Sequence, residues 1–548
     1  MRGIEPNSHP HFFRRHWPLL AAIASGVWLA LCFPPFSLGN TAFLALSPLL
    51  CAVWIPRGMT PWRRFRLGFV TGLVAYTTIF WWLGELAPLS HSPGLRLIPF
   101  GMGAGIALVP AIWAMFVGWF AGRQVFVEKP DPLAPGVRPV LLSSSRNLAL
   151  GVVVAASWVA LEWVRGWALL GFSMNTLGVA LHGDVILIQI AEITGVSGLG
   201  FLLALANAIA VLTILRLGAE VGRVRLRPHF DFLFTIALIV GVFSYGVRKL
   251  VGGAPREIAA VRVAAVQTNI PQPMKMDPDR VDEILQRLET LNAKAVEEKA
   301  DLVLWPEACI PGGMFADREM TDWVKAQAAL HKALLLGTDD LNRGGEGDDH
   351  NSAALIVRGR KDVSFHDKVS LVPFGEYMPL RPLLGGMFGH LVPGDFVPGI
   401  MPTQLTLDAP NVTLGPLICF EDTQSELARA QVRGGAQLLV NVTNDGWFGF
   451  TGQLEQHVAN AIFRCVETRV PMVRATNTGT TGSFDIFGRV DRWLPQHTTD
   501  VASRTIPIFA KTPPTFFVRY GDWFSPLCAL IAVVAGIGRL VVLRRKRV

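Results

Sequence analysis

The sequence predicts a multi-pass helical membrane protein that carries one layered α/β domain. Hydrophobic residues make up 51% of the 548 residues and charged residues 17%, with a mean hydropathy of +0.38. A soluble chain of this length would carry more charge. Many apolar segments approach the length that crosses a bilayer, whereas residues 248–521 alternate β-rich and helical runs. The chain is also too long for one core, so at least two folding units are expected.

Eight apolar segments are predicted to span the membrane, at 17–32, 40–55, 67–84, 97–122, 148–170, 193–217, 231–247 and 522–543. The stretch 185–193 is too short and too polar to cross alone, so it is placed at the interface or in a re-entrant loop. Arg14 and Arg15 before the first segment resemble the start of a signal peptide, and residues 29–32 resemble a lipoprotein cleavage site. The large Leu31 and the seven later segments favour an uncleaved first span.

The charges of the loops predict the topology. Twenty Arg and Lys residues fall in one set of loops and tails, whereas the alternate short loops hold only Arg96 and Arg165. Because cytoplasmic loops are enriched in Arg and Lys, both termini are predicted to be cytoplasmic. The predicted organisation is helices 1–7 in residues 1–247, an extracytoplasmic α/β domain in 248–521, and helix 8 with a basic tail in 522–548. The net charge of +8 is thus explained by topology, and no nucleic-acid partner is expected.

The α/β domain is predicted from alternating element types. Strands are expected at 261–268, 301–305, 333–338, 352–357, 363–372, 412–418, 437–442, 472–476 and 482–487. Helices are expected at 278–299, 317–331, 423–433 and 453–467.

Polar groups follow three of these strands, where α/β proteins usually form their sites. Glu307 ends a WPE run. Lys368 and Glu376 lie in the run KVSLVPFGEY, and Cys419 and Glu421 lie in GPLICFED. A thiol between a strand and a helix lies near the positive end of the helix dipole, which favours the thiolate. A thiolate suits two-step acyl transfer. Taken singly, the glutamate and the lysine would be ordinary surface charges.

The other cysteines and His457 are interpreted as structural. No pair of cysteines has CxxC or metal-ligand spacing, so neither a metal nor a cofactor is expected. Cys309 has no helix start behind it, and Cys465 lies inside a helical run. The remaining cysteines lie in apolar runs and are expected to be buried as small hydrophobic residues: Cys32, Cys51 and Cys528.

In these contexts, Glu307, Lys368 and Cys419 resemble the Glu-Lys-Cys triad of the nitrilase superfamily. NDGWF at 444–448 and RATNTG at 474–479 match further motifs of that superfamily. Seven predicted spans before the domain and one after it resemble the membrane-embedded branch, the apolipoprotein N-acyltransferases, over nearly the whole chain. The resemblance implies an αββα sandwich on the periplasmic face of a bacterial inner membrane.

The resemblance also implies a ping-pong acyl transfer. Cys419 would take an acyl chain from a phospholipid, with phosphatidylethanolamine the expected donor, and pass it to the N-terminal amine of a diacylglyceryl-modified cysteine on a lipoprotein. Chemistry then assigns Glu307 as general base and Lys368 as the cation that stabilises the oxyanion, together with the backbone N–H of Phe420. Glu376 and Glu421 would orient Lys368 and keep it protonated. A monomer is expected.

Substrate contacts are predicted at the entrance of this site. The segment 378–400 is rich in Gly, Pro, Leu and Phe, and it is either an ordinary long loop or an apolar lid that carries Met387 and Phe388. Trp447 and Phe448, together with Asn444, are expected either to line the same entrance or to pack in the core.

Ionisable groups inside apolar runs are costly and often functional. Arg165 is expected either to meet a lipid phosphate or to pair with Glu162, and Glu192 lies close to another apolar run. Two positions depart from the family pattern, because Met174 and Met276 stand where the family commonly has aromatic residues. Methionine fills similar apolar space.

Two other functions fit parts of the sequence. One is a membrane-tethered amidase or nitrilase acting on small amides, although eight spans exceed what an anchor requires. The other is a non-enzymatic lipid-binding or assembly protein with a degenerate domain, against which the intact Glu-Lys-Cys set argues.

Overall fold

The computed structural model describes residues 9–545 apart from 57, 90–92, 122–126, 131–136, 141–142, 169–170, 221–227, 315, 341–348, 383–393, 450 and 511–512. The membrane part begins with the helices α1 (His9–Leu31), α2 (Ser47–Trp54), α3 (Pro61–Ile79), α4 (Ile98–Ala121), α5 (Ser144–Ala168), α6 (Val196–Glu220) and α7 (Phe230–Gly252). The strands β1 (Val127–Pro130) and β2 (Val137–Val140) pair between α4 and α5. Shorter helical turns connect the helices: Gly39–Thr41, Ala42–Ala45, Trp81–Glu85, Leu86–Leu89, Pro93–Leu97, Leu177–Leu181, Leu187–Ile190 and Ala191–Thr194.

The α/β domain follows α7. Its strands are β3 (Glu257–Gln267), β4 (Leu302–Trp305), β5 (Ala333–Asp340), β6 (His350–Val357), β7 (Ser364–Asp367), β8 (Leu405–Asp408), β9 (Asn411–Ile418), β10 (Leu438–Thr443), β11 (Met472–Thr476), β12 (Gly482–Phe484), β13 (Val490–Arg492) and β14 (Asp500–Phe509). Its helices are α8 (Val281–Glu297), α9 (Arg318–Ala329), α10 (Ser425–Arg433), α11 (Gln453–Thr468) and α12 (Phe516–Tyr520), and α13 (Phe524–Arg545) returns to the membrane part. Turns at Gln272–Lys275, Pro278–Arg280, Cys419–Thr423 and Asp445–Phe448 complete it.

Five helical segments in the described residues are long and apolar enough to cross a bilayer: Gly94–Ala121, Ser144–Ala168, Val196–Gly218, Phe230–Gly252 and Phe524–Arg545. His16–Leu31 and Gly39–Trp54 are shorter apolar helical segments. The predicted span 40–55 is divided into short helices, and Pro48 lies in the first turn of α2, where a residue without an N–H is tolerated. The membrane domain is therefore confirmed, whereas the count of eight spans stays a prediction.

Two sheets stack face to face in the α/β domain. In the described residues each has six strands, in the orders β14-β3-β4-β5-β6-β7 and β13-β12-β11-β10-β9-β8. Val263 and Leu304 of the first sheet and Val440 and Val442 of the second share one buried core between the sheets. Leu288 of α8 packs in a separate core on the outer face of the first sheet. With α10 and α11 outside the second sheet, the layers run αββα, and the predicted α/β sandwich is confirmed.

Helix α11 lies between the second sheet and the membrane part. Fifteen of its sixteen residues are buried, the exception being Glu455, and its apolar residues share one core with the membrane helices. Gln456 donates to the carbonyls of Pro34 (3.0 Å) and Ile79 (2.8 Å), and its Oε1 accepts from Trp82 Nε1 (3.1 Å) and Asn175 Nδ2 (2.9 Å). Because these polar groups are paired, a helix of mixed polarity can be buried over nearly its whole surface.

Several predicted elements differ from the structure. The strand expected at 363–372 ends at Asp367, because the chain then turns so that Lys368 O can accept from Gly399 N at 2.8 Å. The helix expected from 423 begins at Ser425. In the α/β domain the sequence analysis also missed β8, β13 and β14, of which β14 is a partly exposed edge strand that contains Pro507.

Candidate active site

The three predicted catalytic residues follow the ends of three strands. Glu307 lies two residues after β4, Lys368 directly after β7, and Cys419 directly after β9. The neighbouring strand β5 approaches Glu307 closely at Gly337, where a Cβ atom would lie only 2.4 Å from the Cα of Glu307. A residue with a side chain at 337 would therefore displace Glu307.

A buried hydrogen-bond network joins Lys368 to two carboxylates. Its Nζ lies 3.1 Å from Glu307 Oε1 and 2.8 Å from Glu376 Oε1. Asn351 Nδ2 donates to the same two oxygens at 2.8 and 2.7 Å. The side chain of Lys368 is 1% exposed. The backbone N–H of Val372 donates to Glu376 Oε2 at 2.8 Å, so each of these carboxylates is held from more than one side.

The network fixes the charge of both partners. Burial alone would raise the pKa of Glu307, but Lys368, Asn351 and the backbone N–H of Asn444 together lower it below its ordinary value. Burial likewise opposes the charge on Lys368, yet Glu307 and Glu376 raise its pKa well above the ordinary value. Glu307 is therefore a carboxylate able to accept a proton, and Lys368 is an ammonium that keeps its own.

Cys419 has a left-handed backbone conformation, with φ of +50°, which is uncommon for a residue other than glycine. Its carbonyl accepts from Asn441 Nδ2 at 3.0 Å and lies 3.3 Å from His457 Nε2. Both contacts hold the turn at the nucleophile. Phe420 is the second residue of a helical turn, where backbone N–H groups have no acceptor within the helix.

The expected stabilisation of a Cys419 thiolate by a following helix is wrong for the resting site. The residue begins a five-residue turn of 3-10 helix, and α10 starts only at Ser425. Burial, followed by the charge of Glu307, raises the pKa of the thiol well above its usual value, although Lys368 acts in the opposite direction. Cys419 thus rests as a thiol and needs a base.

Glu421 lies beside the site but hydrogen-bonds to backbone rather than to the Lys368 ammonium. Its Oε1 accepts from the N–H groups of Val369 (2.7 Å) and Ser370 (3.1 Å), and its Oε2 accepts from Ile418 N at 2.8 Å. It therefore ties the segment after Lys368 to the end of β9. Of the two supporting carboxylates, Glu376 contacts the ammonium of Lys368, and Glu421 fixes the distance between the two chain segments.

His457 contacts the carbonyl oxygen of Cys419 and lies in a buried cluster of charged side chains. Its Nε2 is 2.7 Å from Asp422 Oδ1 and its Nδ1 is 3.1 Å from Asp445 Oδ1, and Arg474 also pairs with both aspartates. Burial lowers the pKa of His457, but Asp422 and Asp445 outweigh burial and the repulsion from Arg474 and raise it to about 9. His457 is therefore a cation at neutral pH and not a base, which agrees with a structural role.

The stabilisation contributed by His457 should depend on pH. Its pKa is raised from 6.5 in the unfolded chain to about 9 in the fold, so its contribution is complete below about pH 6.5 and is lost as the pH rises through about 9. The difference in Tm between wild type and His457→Gln, measured in detergent micelles, should therefore narrow progressively over this window. A difference that stays constant from pH 6 to 10 would contradict this interpretation.

Aromatic side chains connect the site to the membrane part. Phe420, next to the nucleophile, stacks on Phe172 with ring centroids 6.0 Å apart. Phe172 contacts Phe80 at 5.2 Å, and Phe448 contacts Trp82 at 4.7 Å. Phe448 therefore packs in this aromatic cluster. Trp447 is 37% exposed, whereas Met387 and Phe388 lie outside the described residues.

The other candidate contacts are held within the fold. The side chain of Asn444 bonds to Gln272 and Asn477, and its backbone N–H donates to Glu307 Oε2 at 2.8 Å. The guanidinium of Arg165 is buried and donates to the carbonyls of Ser173 and Met174, at 3.3 and 2.8 Å. Asn444 thus orients the predicted base, and Arg165 holds the chain after α5.

Glu162 and the two methionines have different surroundings. Glu162 Oε1 accepts from Leu177 N at 2.7 Å, so it fixes the same connection after α5 as Arg165 does. Met174 is buried, as expected for a residue that fills apolar space, but Met276 is 62% exposed. Cys309 and Cys465 are buried, and burial raises the pKa of the Cys309 thiol to about 12.

The sequence analysis missed three polar residues at the site. Asn351 is the second residue of β6, and its side chain donates to both Glu307 and Glu376. Lys275 Nζ lies 3.4 Å from the Glu307 carbonyl oxygen, and Asp339 is within electrostatic range of Glu307 and Glu376. In the sequence, the signal for these residues was limited to the acidic pair Asp339-Asp340 at the end of a predicted strand. Such a pair does not show which residues lie beside it in the fold.

Two family models match this chain: the apolipoprotein N-acyltransferase N-terminal domain over residues 25–209 and carbon-nitrogen hydrolase over residues 262–507. A solved structure that is similar to part of this chain is Nit3 of Saccharomyces cerevisiae, a member of the nitrilase superfamily, at 17% identity and a TM-score of 0.35, covering 46% of this chain and 93% of Nit3. The apolar helices and the matched family models define a membrane protein with a carbon-nitrogen hydrolase domain.

Relatives define the family within this class. The apolipoprotein N-acyltransferase of Geobacter metallireducens is 35% identical over 529 residues, covering 94% of each chain. That of Azotobacter vinelandii is 31% identical over 536 residues, covering 95% of each. The chain belongs to the apolipoprotein N-acyltransferase family.

Proposed function

We propose that this protein transfers a fatty acyl chain from a membrane phospholipid to the N-terminal amine of a diacylglyceryl-modified cysteine on apolipoproteins, through a thioester on Cys419. Family membership supports the N-acylation. The observation that carries the mechanism is the contact of an ionised Glu307 with an ionised Lys368, both within electrostatic range of a nucleophile that rests as a thiol. Phosphatidylethanolamine is the proposed donor.

In the first step, Cys419 Sγ attacks the carbonyl carbon of a phospholipid ester while its proton passes to the Glu307 carboxylate. The oxyanion that forms is stabilised by the Lys368 ammonium and the N–H of Phe420. The ester C–O bond then breaks, and Glu307 returns the proton to the departing oxygen. The products are a Cys419 thioester and a lysophospholipid.

In the second step, the acceptor amine attacks the thioester carbon. Glu307 takes a proton from the nitrogen and delivers it to the departing sulfur, which restores the thiol as the amide forms. Because one carboxylate serves both steps, it needs a stable ionised resting state, for which Lys368, Asn351 and the N–H of Asn444 provide the partners.

The membrane arrangement is part of the proposal. It comprises a membrane domain in residues 1–247, a catalytic domain in 248–521 on the periplasmic face of the inner membrane, and a last span with a basic tail in 522–548. Eight spans with both termini cytoplasmic account for the distribution of Arg and Lys. Trp447 and the segment that carries Met387 and Phe388 would admit acyl chains from the outer leaflet. A monomer without a cofactor is proposed.

Mass spectrometry of the purified protein tests the proposal. After incubation with phosphatidylethanolamine, the wild type should gain the mass of one acyl chain on Cys419, and Cys419→Ala should gain none. Cys465→Ala is the matched control, because that thiol is buried in α11 and should leave the adduct intact. Absence of an adduct in the wild type, or an adduct that persists in Cys419→Ala, would reject the mechanism. Turnover of water-soluble amides without lipid would favour a membrane-tethered amidase instead.

A further inference from the structure

The second step of the proposed reaction must dispose of a proton that the first step does not produce. An α-amino group has a pKa of about 7.7–8.0, so at neutral pH much of the acceptor arrives as an ammonium. That ammonium loses one proton before its nitrogen can attack and another as the amide forms. Glu307 passes the later proton to the sulfur of Cys419, so the earlier proton needs a different acceptor.

Asp339 is a carboxylate that the mechanism above does not use. It lies in β5, directly opposite Asn351 in β6, and opposite residues of an antiparallel pair project from the same face. Asn351 Nδ2 is bonded to both Glu307 and Glu376. Asp339 is half-buried, so unlike Glu307 it is partly open to an incoming molecule.

The charges around Asp339 favour a cation. The ionisable groups that act on it are Lys275 in the turn Gln272–Lys275, Glu307 after β4, Glu376 and Lys368. Three carboxylates and two ammonium groups leave one negative charge in excess. A bound ammonium would neutralise that charge.

A second polar atom is free to receive a donor. Asn351 is buried, and within the described part of the chain its Oδ1 has no hydrogen-bond partner. A buried acceptor without a donor is costly. Because Asn351 also contacts Glu307, a donor bound to this oxygen would lie close to the catalytic carboxylate.

We propose that Asp339 and the Oδ1 atom of Asn351 form a binding subsite for the primary ammonium of the acceptor, and that Asp339 removes its first proton. This inference rests on the proposed function. The ammonium N–H bond breaks, the proton passes to the Asp339 carboxylate, and the nitrogen keeps the electron pair with which it attacks the thioester. Asp339 later releases the proton to water.

The acidity of Asp339 suits this step. Burial raises its pKa to about 6; Lys275 opposes this rise, while Glu307 and Glu376 add to it. An ordinary aspartate has a pKa near 3.9. The higher value brings the carboxylate closer to the acidity of the amine, which makes the proton transfer less unfavourable.

A two-stage assay on the full-length protein in phospholipid micelles tests the subsite. The protein is first loaded with acyl chain from phosphatidylethanolamine, and a diacylglyceryl-modified peptide with a free N-terminal cysteine is then added. At pH 6.5, Asp339→Asn should slow transfer by at least about tenfold and should slow transfer far more than loading. The deficit should shrink as the pH rises above the pKa of the amine, because the acceptor is then already neutral.

Two controls separate proton removal from structural damage. Methoxyamine, a weakly basic amine that is neutral at pH 6.5, should discharge the thioester equally fast in the wild type and in Asp339→Asn. Asp339→Glu, which keeps the carboxylate, should retain most of the transfer at low pH.

The outcomes also distinguish failure of the ammonium subsite from failure of the proposed function. If the wild type forms no adduct on Cys419, both proposals fail. If the wild type loads and transfers normally but Asp339→Asn has the same pH profile as the wild type, the subsite alone is rejected. An Asp339→Asn variant that is slowed equally in loading, in transfer and with methoxyamine would likewise reject the subsite, because the residue would then be structural.

Discussion

Replacing Glu307 with Gln should slow formation of the Cys419 acyl adduct by about 10²- to 10⁴-fold at neutral pH, the usual contribution of a positioned general base. The reason is the raised pKa of the buried thiol, which leaves almost no thiolate without a neighbouring base. The glutamine is close in shape to the glutamate, and its carbonyl oxygen can still accept from Lys368 or Asn444 N, so the protein should remain folded. Time-resolved mass spectrometry of the adduct measures the rate.

The pH dependence of the Glu307→Gln loading rate provides a second test of the role of Glu307 as a base. Without its base, Glu307→Gln should load faster as the pH rises toward the pKa of the thiol, because hydroxide then generates the thiolate. Glu283→Gln, a change at an exposed carboxylate of α8, should load at the rate of the wild type. If Glu307→Gln loaded as fast as the wild type at pH 7, the role of Glu307 as base would be refuted.

Replacing Lys368 with Met should damage both stability and activity. The ammonium is buried against Glu307 and Glu376, and removing one partner of a buried ion pair typically costs about 3–5 kcal/mol, because a charge is left without compensation. Loss of an oxyanion donor should further lower the loading rate by about 10²- to 10³-fold. Chemical unfolding in micelles and the adduct assay measure the two effects.

A compensating change tests the electrostatic origin of that instability. Adding Glu376→Gln to Lys368→Met removes one of the two stranded carboxylates and should restore part of the lost stability, but none of the activity. Lys332→Met is the matched control: its ammonium pairs with Asp301 at 2.7 Å but is 59% exposed, so the change should cost less than about 1 kcal/mol. Equal stability of the single and double variants would mean that charge compensation is not the cause.

The fold was largely predictable because local patterns determine it. β11 matches its predicted bounds, and α11 and β10 lie within one residue of theirs, since apolar runs bounded by turn residues leave few alternatives. The span count was less predictable. The first two apolar segments are short, and a helix packed among others can be shorter than an isolated span.

Only those residues of the site that stand in a recognisable motif could be predicted from the sequence. Glu307, Lys368 and Cys419 stand in distinctive runs, and the structure brings Glu307 and Lys368 into contact. Asn351 and Asp339 lie in ordinary strand sequence, and their place beside the site depends on cross-strand register. The thiol acidity was also misjudged, because sequence shows a helix following a cysteine but shows neither the gap before that helix nor the depth of burial.

The burial of nearly all of helix α11 has a practical consequence for anyone who wants a crystallisable or screenable fragment. Excising the α/β domain would leave Gln456 without Pro34, Ile79, Trp82 and Asn175, and would expose the apolar surface that now faces the membrane helices. Such a fragment should precipitate when produced without detergent. Inhibitor campaigns against this enzyme family are therefore better served by the intact polypeptide in nanodiscs than by a truncated reagent.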